Sequence, residues 1–111
     1  MGTHMTSDLL LEHILHILDD SKAANIQTLD VRALTTITDT MIICSGTSAR
    51  HVKAISDHIL EGLKEHKKEL LGVEGTQDSE WVLVDLGRMV IHIMMPQTRD
   101  FYQLEKLWGA G

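Results

Sequence analysis

The feature that most constrains the fold is a pair of apolar segments, 81–86 and 89–95, separated only by Gly87-Arg88. Two alternating segments with a two-residue connection are typical of a β-hairpin. Such a turn fixes the cross-strand pairs as Leu86 with Met89, Asp85 with Val90, Leu83 with His92, and Trp81 with Met94. The sequence therefore predicts the pairing register as well as the strands.

The two faces of this hairpin differ in chemistry, because side chains alternate between faces with a period of two. One face is wholly apolar and is expected to be core: Val82, Val84, Leu86, Met89, Ile91 and Ile93. The other face mixes large apolar side chains with an acid and an imidazole: Trp81, Leu83, Asp85, Val90, His92 and Met94. Either a helix covers this second face and satisfies its polar groups, or the face binds a partner.

The rest of the chain predicts an α/β fold in which helices flank a mixed β-sheet. Apolar periodicity indicates helices over 8–22 and 49–66 and strands over 26–32 and 41–44. A short terminal helix follows Pro96, and residues 72–76 form a loop or a short edge strand. The expected order is α-β-β-α-β-β-α.

Composition sets the broad class. The 111 residues are 43% hydrophobic, which suits one modest core, so residues 6–111 are expected to form a single domain after an expression-tag remnant at residues 1–5. No apolar run is long enough to span a bilayer. A single cysteine favours a reducing, cytoplasmic location. The net charge of −6 disfavours general nucleic-acid binding and favours a basic protein partner.

One spacing suggests catalysis. Cys44 ends a strand and Arg50 lies in the helix that follows, which is the layout of a cysteine-dependent phosphatase. The match is incomplete, because Ile43 stands where that signature has histidine and Gly46 lies one place too early. A buried, inert cysteine is the competing interpretation.

Neither metal nor cofactor chemistry is expected. His13 and His16 lie three residues apart on one helix face, but no other ligand pair of diagnostic spacing completes a site. The turn Gly46-Thr47-Ser48 lacks the lysine and glycine spacing of a phosphate-binding loop. Asp85 has no second carboxylate at the short spacing that a nucleotidyltransferase would need.

Taken in order, the motifs of this chain resemble those of the ribosomal silencing factor family, also called Iojap-like. The matching segments are Leu29-Asp30-Val31-Arg32, Ile43-Cys44-Ser45-Gly46-Thr47-Ser48, Val73-Glu74-Gly75, Trp81-Val82-Leu83-Val84-Asp85, Val90-Ile91-His92, and Arg99 through Phe101 to Gly109. They span about residues 8–109. The chain departs from the family pattern at Thr40-Met41 and Met94-Met95.

The resemblance implies a non-enzymatic factor with a nucleotidyltransferase-like core that lacks the catalytic carboxylates. Such a factor binds the large ribosomal subunit at the basic ribosomal protein L-fourteen and sterically blocks joining of the small subunit under nutrient limitation. It implies homodimers in some members, and no sequence-specific nucleic-acid contact or membrane. An interaction module of another pathway is the competing binding hypothesis.

We predict that the mixed hairpin face and the terminal helix form the partner surface. Its expected residues are Trp81, Leu83 and Met94 as apolar anchors, Asp85 and His92 as orienting polar groups, and Arg99 and Tyr102 at the rim. Phe101 and Trp108 are expected to pack the terminal helix.

Overall fold

The computed structural model describes residues 7–64, 70–103 and 106, and the account below concerns these residues. They form eight elements in the order α-β-β-α-β-β-β-α: α1 Ser7–Asp20, β1 Ala24–Asp30, β2 Thr40–Ser45, α2 Ala49–Gly62, β3 Gly72–Glu74, β4 Trp81–Asp85, β5 Met89–Met94 and α3 Pro96–Tyr102. The predicted α/β class with a mixed sheet and flanking helices is confirmed.

One strand was missing from the predicted order. Gly72–Glu74 pairs antiparallel with β4 at the edge of the sheet, so residues 72–74 add a fifth strand. Three residues are too few to show an alternating pattern, which is why the sequence left this segment between loop and strand. The helix α2 also ends at Gly62, short of the predicted residue 66.

The five strands lie in the order β1-β2-β5-β4-β3. Only β2 and β5 are parallel, and the other neighbours are antiparallel. The hairpin register is confirmed, with Trp81 opposite Met94, Leu83 opposite His92 and Asp85 opposite Val90. The turn is tight: Gly87 has a φ of +82°, a conformation that glycine adopts without strain.

The two long helices cover one face of the sheet, which we call the helix face. Its core combines the predicted apolar hairpin residues with those of α1, α2 and β2: Leu10, Ile14, Leu18, Ile42, Cys44, Val52, Ile55, Ile59, Leu63, Val82, Val84, Leu86, Met89, Ile91 and Ile93. All of these are at most 4% exposed, so the centre of the helix face is closed to solvent. Among the described residues, none of the helices has both the length and the apolar character needed to cross a membrane.

The opposite face, which we call the open face, is only partly covered. A second, smaller cluster of Val31, Met41, Ile43 and Met94 is buried there, with Leu29 and Trp81 packed against it. Met41 and Met94 both belong to this cluster, where flexible thioether side chains fill irregular space well. The rest of the open face carries the site described next.

Candidate partner-binding surface

Trp81, the first residue of β4, is the centre of the candidate site. Its indole is partly exposed on the open face, and one side of it packs against the small methionine-rich cluster. Two rings contact it: the His92 imidazole at a centroid distance of 5.8 Å and the Tyr102 phenol at 4.8 Å, both in tilted geometry. Such aromatic contacts hold an indole in a defined orientation.

The indole is also fixed by a hydrogen bond from below. Trp81 Nε1 donates to His92 Nδ1 at 2.9 Å. Because an indole N–H can only donate, Nδ1 must be the accepting nitrogen, and the neutral imidazole carries its proton on Nε2. His92 is 6% exposed, and this burial lowers the pKa of its imidazole from 6.5 to about 4.

Helix α3 brings Tyr102 over Trp81. The helix begins directly after β5, with Met95 as its N-cap and Pro96 in its first turn, where a missing N–H costs nothing. Arg99, one turn further, is 7% exposed and its Nη1 donates to Ser45 Oγ at 3.0 Å. This contact joins residues 54 positions apart and ties the terminal helix to the end of β2.

Two hollows flank the indole. One, of about 310 Å³, is lined by Glu74, Gly75, Trp81 and Leu83. The other, of about 170 Å³, is lined by Gly75, Asp78, Glu80, Trp81, Thr98 and Tyr102. Gly75 separates them, at a φ of +89° and so close to the Trp81 carbonyl that a Cβ would collide with backbone. The anchor ring is therefore bordered by acidic groups.

The structure divides the seven predicted surface residues by depth. Three are buried: Met94 at 0%, His92 at 6% and Arg99 at 7% exposure. Trp81, Leu83 and Asp85 are partly exposed, and Tyr102 is 52% exposed. Among the described residues, the face is therefore buried at Met94, His92 and Arg99 and at least partly open at the other four positions.

Asp85 stands apart from the rest. It lies at the far end of β4 from Trp81, and its Oδ1 accepts the Gly87 N–H at 2.8 Å. This side-chain bond to the backbone two residues on stabilises the hairpin turn. The Asp85 carboxylate therefore already binds the hairpin turn, and the cluster around the indole consists of the other six predicted surface residues.

Sequence reasoning missed Ser45, Glu74, Gly75, Asp78 and Glu80. Ser45, Glu74 and Gly75 were named only in segments that carry the family resemblance, and Asp78 and Glu80 belong to a polar segment without periodicity. Glycine followed by a run of turn-forming residues was the available signal. The predicted packing roles of Phe101 and Trp108 lie outside what the structure describes, since Trp108 and the Phe101 side chain are not among the described parts.

The phosphatase layout is contradicted by the geometry. The Cys44 side chain is fully buried in the core of the helix face, and this burial raises the pKa of its thiol from 9.0 to about 12. A phosphatase nucleophile must instead be an accessible thiolate. Arg50 is exposed on the first turn of α2. The Cys44–Arg50 motif consequently builds a strand, a turn and a helix capped by Ser48, whose side chain accepts the His51 N–H.

The histidines of α1 and α2 make structural contacts. His13 Nε2 donates to the Gly62 carbonyl at 2.8 Å, whereas His16 lies 3.3 Å from Asp20. His51 accepts the Thr47 N–H and donates to the Ser21 carbonyl, which links the start of α2 to the end of α1. Within residues 7–64 and 70–103, no three His, Cys, Asp or Glu side chains converge as a metal would require.

Comparison with known proteins gives a consistent family. The family described as "Ribosomal silencing factor during starvation" matches residues 4–111. Ribosomal silencing factor RsfS of Haemophilus influenzae is 44% identical over 100 residues, covering 90% of this chain and 98% of that protein. The mouse protein named Mitochondrial assembly of ribosomal large subunit protein 1 is 34% identical over 95% of this chain and 47% of its own length.

A solved structure has the same fold. The crystal structure of a protein from Chromobacterium violaceum superposes with a TM-score of 0.91 at 38% identity, covering 96% of this chain and 89% of that one. The family match spans nearly the whole sequence and the sequence relatives span most of it. The comparisons thus associate this fold with ribosome-linked regulation of translation. The chain belongs to the ribosomal silencing factor family.

Proposed function

We propose that this chain binds the large ribosomal subunit through ribosomal protein L-fourteen and thereby blocks joining of the small subunit when nutrients are limiting. The observation that carries the proposal is the aromatic pair on the open face, where Tyr102 is 52% exposed and contacts a partly exposed Trp81. Aromatic side chains in such a position are the usual energetic centres of protein interfaces.

The charge around the pair suits a basic partner. Glu74, Asp78 and Glu80 line the hollows beside the indole, and the whole chain carries a net charge of −6. Complementary charge speeds association and selects the partner, while the aromatic area supplies affinity. The same acidity disfavours binding through ribosomal RNA phosphates, so we assign the contact to protein.

The seven predicted residues then have two kinds of role. Trp81, Leu83 and Tyr102 contact the partner, and Asp85 contributes charge from the hairpin end. Met94, His92 and Arg99 act from beneath by supporting the exposed side chains. In this proposal the factor is non-catalytic, needs no cofactor, and works in the cytoplasm by steric obstruction.

Co-sedimentation with purified large subunits tests the binding step. We expect the wild type to pellet with subunits and Trp81→Ala to lose at least about tenfold in affinity, since an interface-centre Trp typically contributes 2 kcal/mol or more. Leu9→Ala is a matched control, because Leu9 is 52% exposed on α1 in the opposite layer. Failure of the wild type to pellet would contradict the proposal, and so would equal losses in the two variants.

Binding to isolated L-fourteen tests the partner assignment. The wild type is expected to form a complex with the purified ribosomal protein, and Glu80→Lys to weaken it with a reduced dependence on salt. Homodimerisation, which the family resemblance also implies, is expected in light scattering of the free protein. Binding to large subunits without any binding to L-fourteen would retain the obstruction and reject this partner.

A further inference from the structure

We propose that His92 is a positioning residue that holds the Trp81 indole in its binding orientation before the partner arrives. This inference rests on the proposed function, because it explains how the anchor of that surface is prepared. The sequence had predicted that His92 lies on the partner surface as an orienting polar group. The contacts of His92 in the structure indicate a different role.

His92 is too deeply buried to contact a partner directly. His92 is 6% exposed, so its imidazole has little surface to offer an incoming protein. Its Nδ1 is already occupied by the Trp81 N–H at 2.9 Å. A residue in this situation influences a partner through the side chain to which it is bonded, which here is the most central one of the surface.

The hydrogen bond between Trp81 and His92 joins strands β4 and β5. Trp81 lies opposite Met94, and His92 lies opposite Leu83, so the hydrogen bond runs diagonally between neighbouring pairs on one face. Diagonal neighbours on a sheet are within reach only of long or aromatic side chains. The bond therefore selects one orientation of the indole, and the Tyr102 ring at 4.8 Å supports it from α3.

An indole that is already held in one orientation favours binding. A surface side chain that is free to rotate must be ordered when a complex forms, and this ordering weakens binding by about 2- to 10-fold for each side chain concerned. An indole already held by His92 and Tyr102 avoids most of that loss. The exposed part of its ring stays available, because the hydrogen bond engages only the N–H edge.

Three variants separate this role from simple packing. His92→Leu removes the acceptor but keeps an apolar side chain of similar length. His92→Asn restores an acceptor, since its Oδ1 is attached at the same carbon as Nδ1. His92→Gln carries the same amide one carbon further out, so its acceptor is displaced. His16→Leu, at an exposed position of α1, controls for the loss of a histidine.

The experiment combines two readouts on the full chain. In a Trp108→Phe background, the single indole N–H resonance of Trp81 reports the hydrogen bond in a ¹H–¹⁵N spectrum. Large-subunit affinity is measured by co-sedimentation on the same proteins. We expect His92→Leu to shift that resonance toward the value of a free indole and to weaken binding about 3- to 10-fold, with His92→Asn close to wild type and His92→Gln intermediate.

The outcomes are distinguishable. If His92→Leu is folded, shifts the indole resonance and binds as the wild type does, the positioning role is overturned while the proposed function stands. If His92→Leu does not fold, equal affinity of the Asn and Gln variants overturns it instead. If the wild type itself does not bind large subunits, the proposed function fails and the positioning role fails with it.

Discussion

The helix face and the open face are the two sides of one sheet, with β2, β5 and β4 at its centre, yet their residues are buried in different ways. On the helix face, α1 and α2 bury a continuous apolar layer. On the open face, burial stops at a small cluster, and a few polar contacts hold the structure around it: Trp81 with His92, and Arg99 with Ser45. The helix face is stabilised by the burial of apolar surface, which has no directional requirement. The open face is stabilised in part by hydrogen bonds, which fix the orientation of the groups they join.

This difference has a functional consequence. The apolar side chains that close the helix face are themselves buried and cannot contact a partner. On the open face an oriented, partly exposed aromatic pair is bordered by acidic residues, and the buried His92 and Arg99 side chains each make a hydrogen bond.

The largest expected effect is the loss of a helix-face side chain. Ile91 is 0% exposed at the centre of β5, so Ile91→Ala is expected to lower the free energy of unfolding by about 2–5 kcal/mol, from lost burial and the cavity left behind. Leu83→Ala, on the neighbouring strand and the open face, is the matched comparison. We expect a loss below about 1.5 kcal/mol there, and urea denaturation that gave equal losses would contradict the contrast.

The next effect appears on acidification. The folded pKa of His92, about 4, lies below its ordinary value of 6.5. As the pH falls from 6.5 toward 4, the unfolded chain takes up a proton that the folded chain refuses, so acid favours unfolding across this window. The loss attributable to His92 reaches about 3 kcal/mol near pH 4 and is absent above pH 6.5.

Urea denaturation at several pH values measures that loss. His92→Asn, which cannot titrate, is expected to flatten the stability profile between pH 6.5 and 4, while the same change at exposed His16 is expected to leave it steep. Profiles of wild type and His92→Asn that run parallel would show that His92 is not buried as a neutral group. Because the imidazole stays neutral near pH 7, partner binding is expected to be insensitive to pH between 6.5 and 8.

A smaller effect concerns the attachment of α3. Ser45→Ala removes the hydroxyl that accepts from buried Arg99, so we expect a loss of about 1 kcal/mol and faster amide exchange in Pro96–Tyr102. Exchange in α1 and α2 is the internal control, since those helices belong to the other face. Faster exchange in every helix would mean that Ser45 supports the whole fold.

The last prediction concerns Cys44, where no effect on function is expected. With its thiol fully buried and a pKa of about 12, native protein at pH 8 is expected to react with a disulfide reagent at least about a hundredfold more slowly than unfolded protein. Hydrolysis of p-nitrophenyl phosphate that Cys44→Ser abolishes would contradict this account.

The comparison of faces also explains what the sequence could and could not predict. The hairpin register and the helix-face core followed from a two-residue turn and a period of two, which are local properties. Strand β3 was ambiguous because three residues carry no period. The burial of His92 and Arg99 depends on the packing of α3 against the open face. The hydrogen bond that fixes α3 there joins Arg99 to Ser45, 54 positions away, and no local sequence pattern predicts such a contact. The sequence therefore predicted on which face of the hairpin each residue lies, while it did not predict how deeply each residue is buried.

Kinetics of subunit joining, followed by light scattering with purified large and small subunits, test the central claim most directly. Large subunits preincubated with wild-type protein are expected to join small subunits slowly and incompletely, and so are those preincubated with Leu9→Ala. Preincubation with Trp81→Ala is expected to restore joining nearly to the rate seen without the factor. Joining that wild-type protein leaves unhindered, or that folded Trp81→Ala blocks as well as wild type does, would contradict the account.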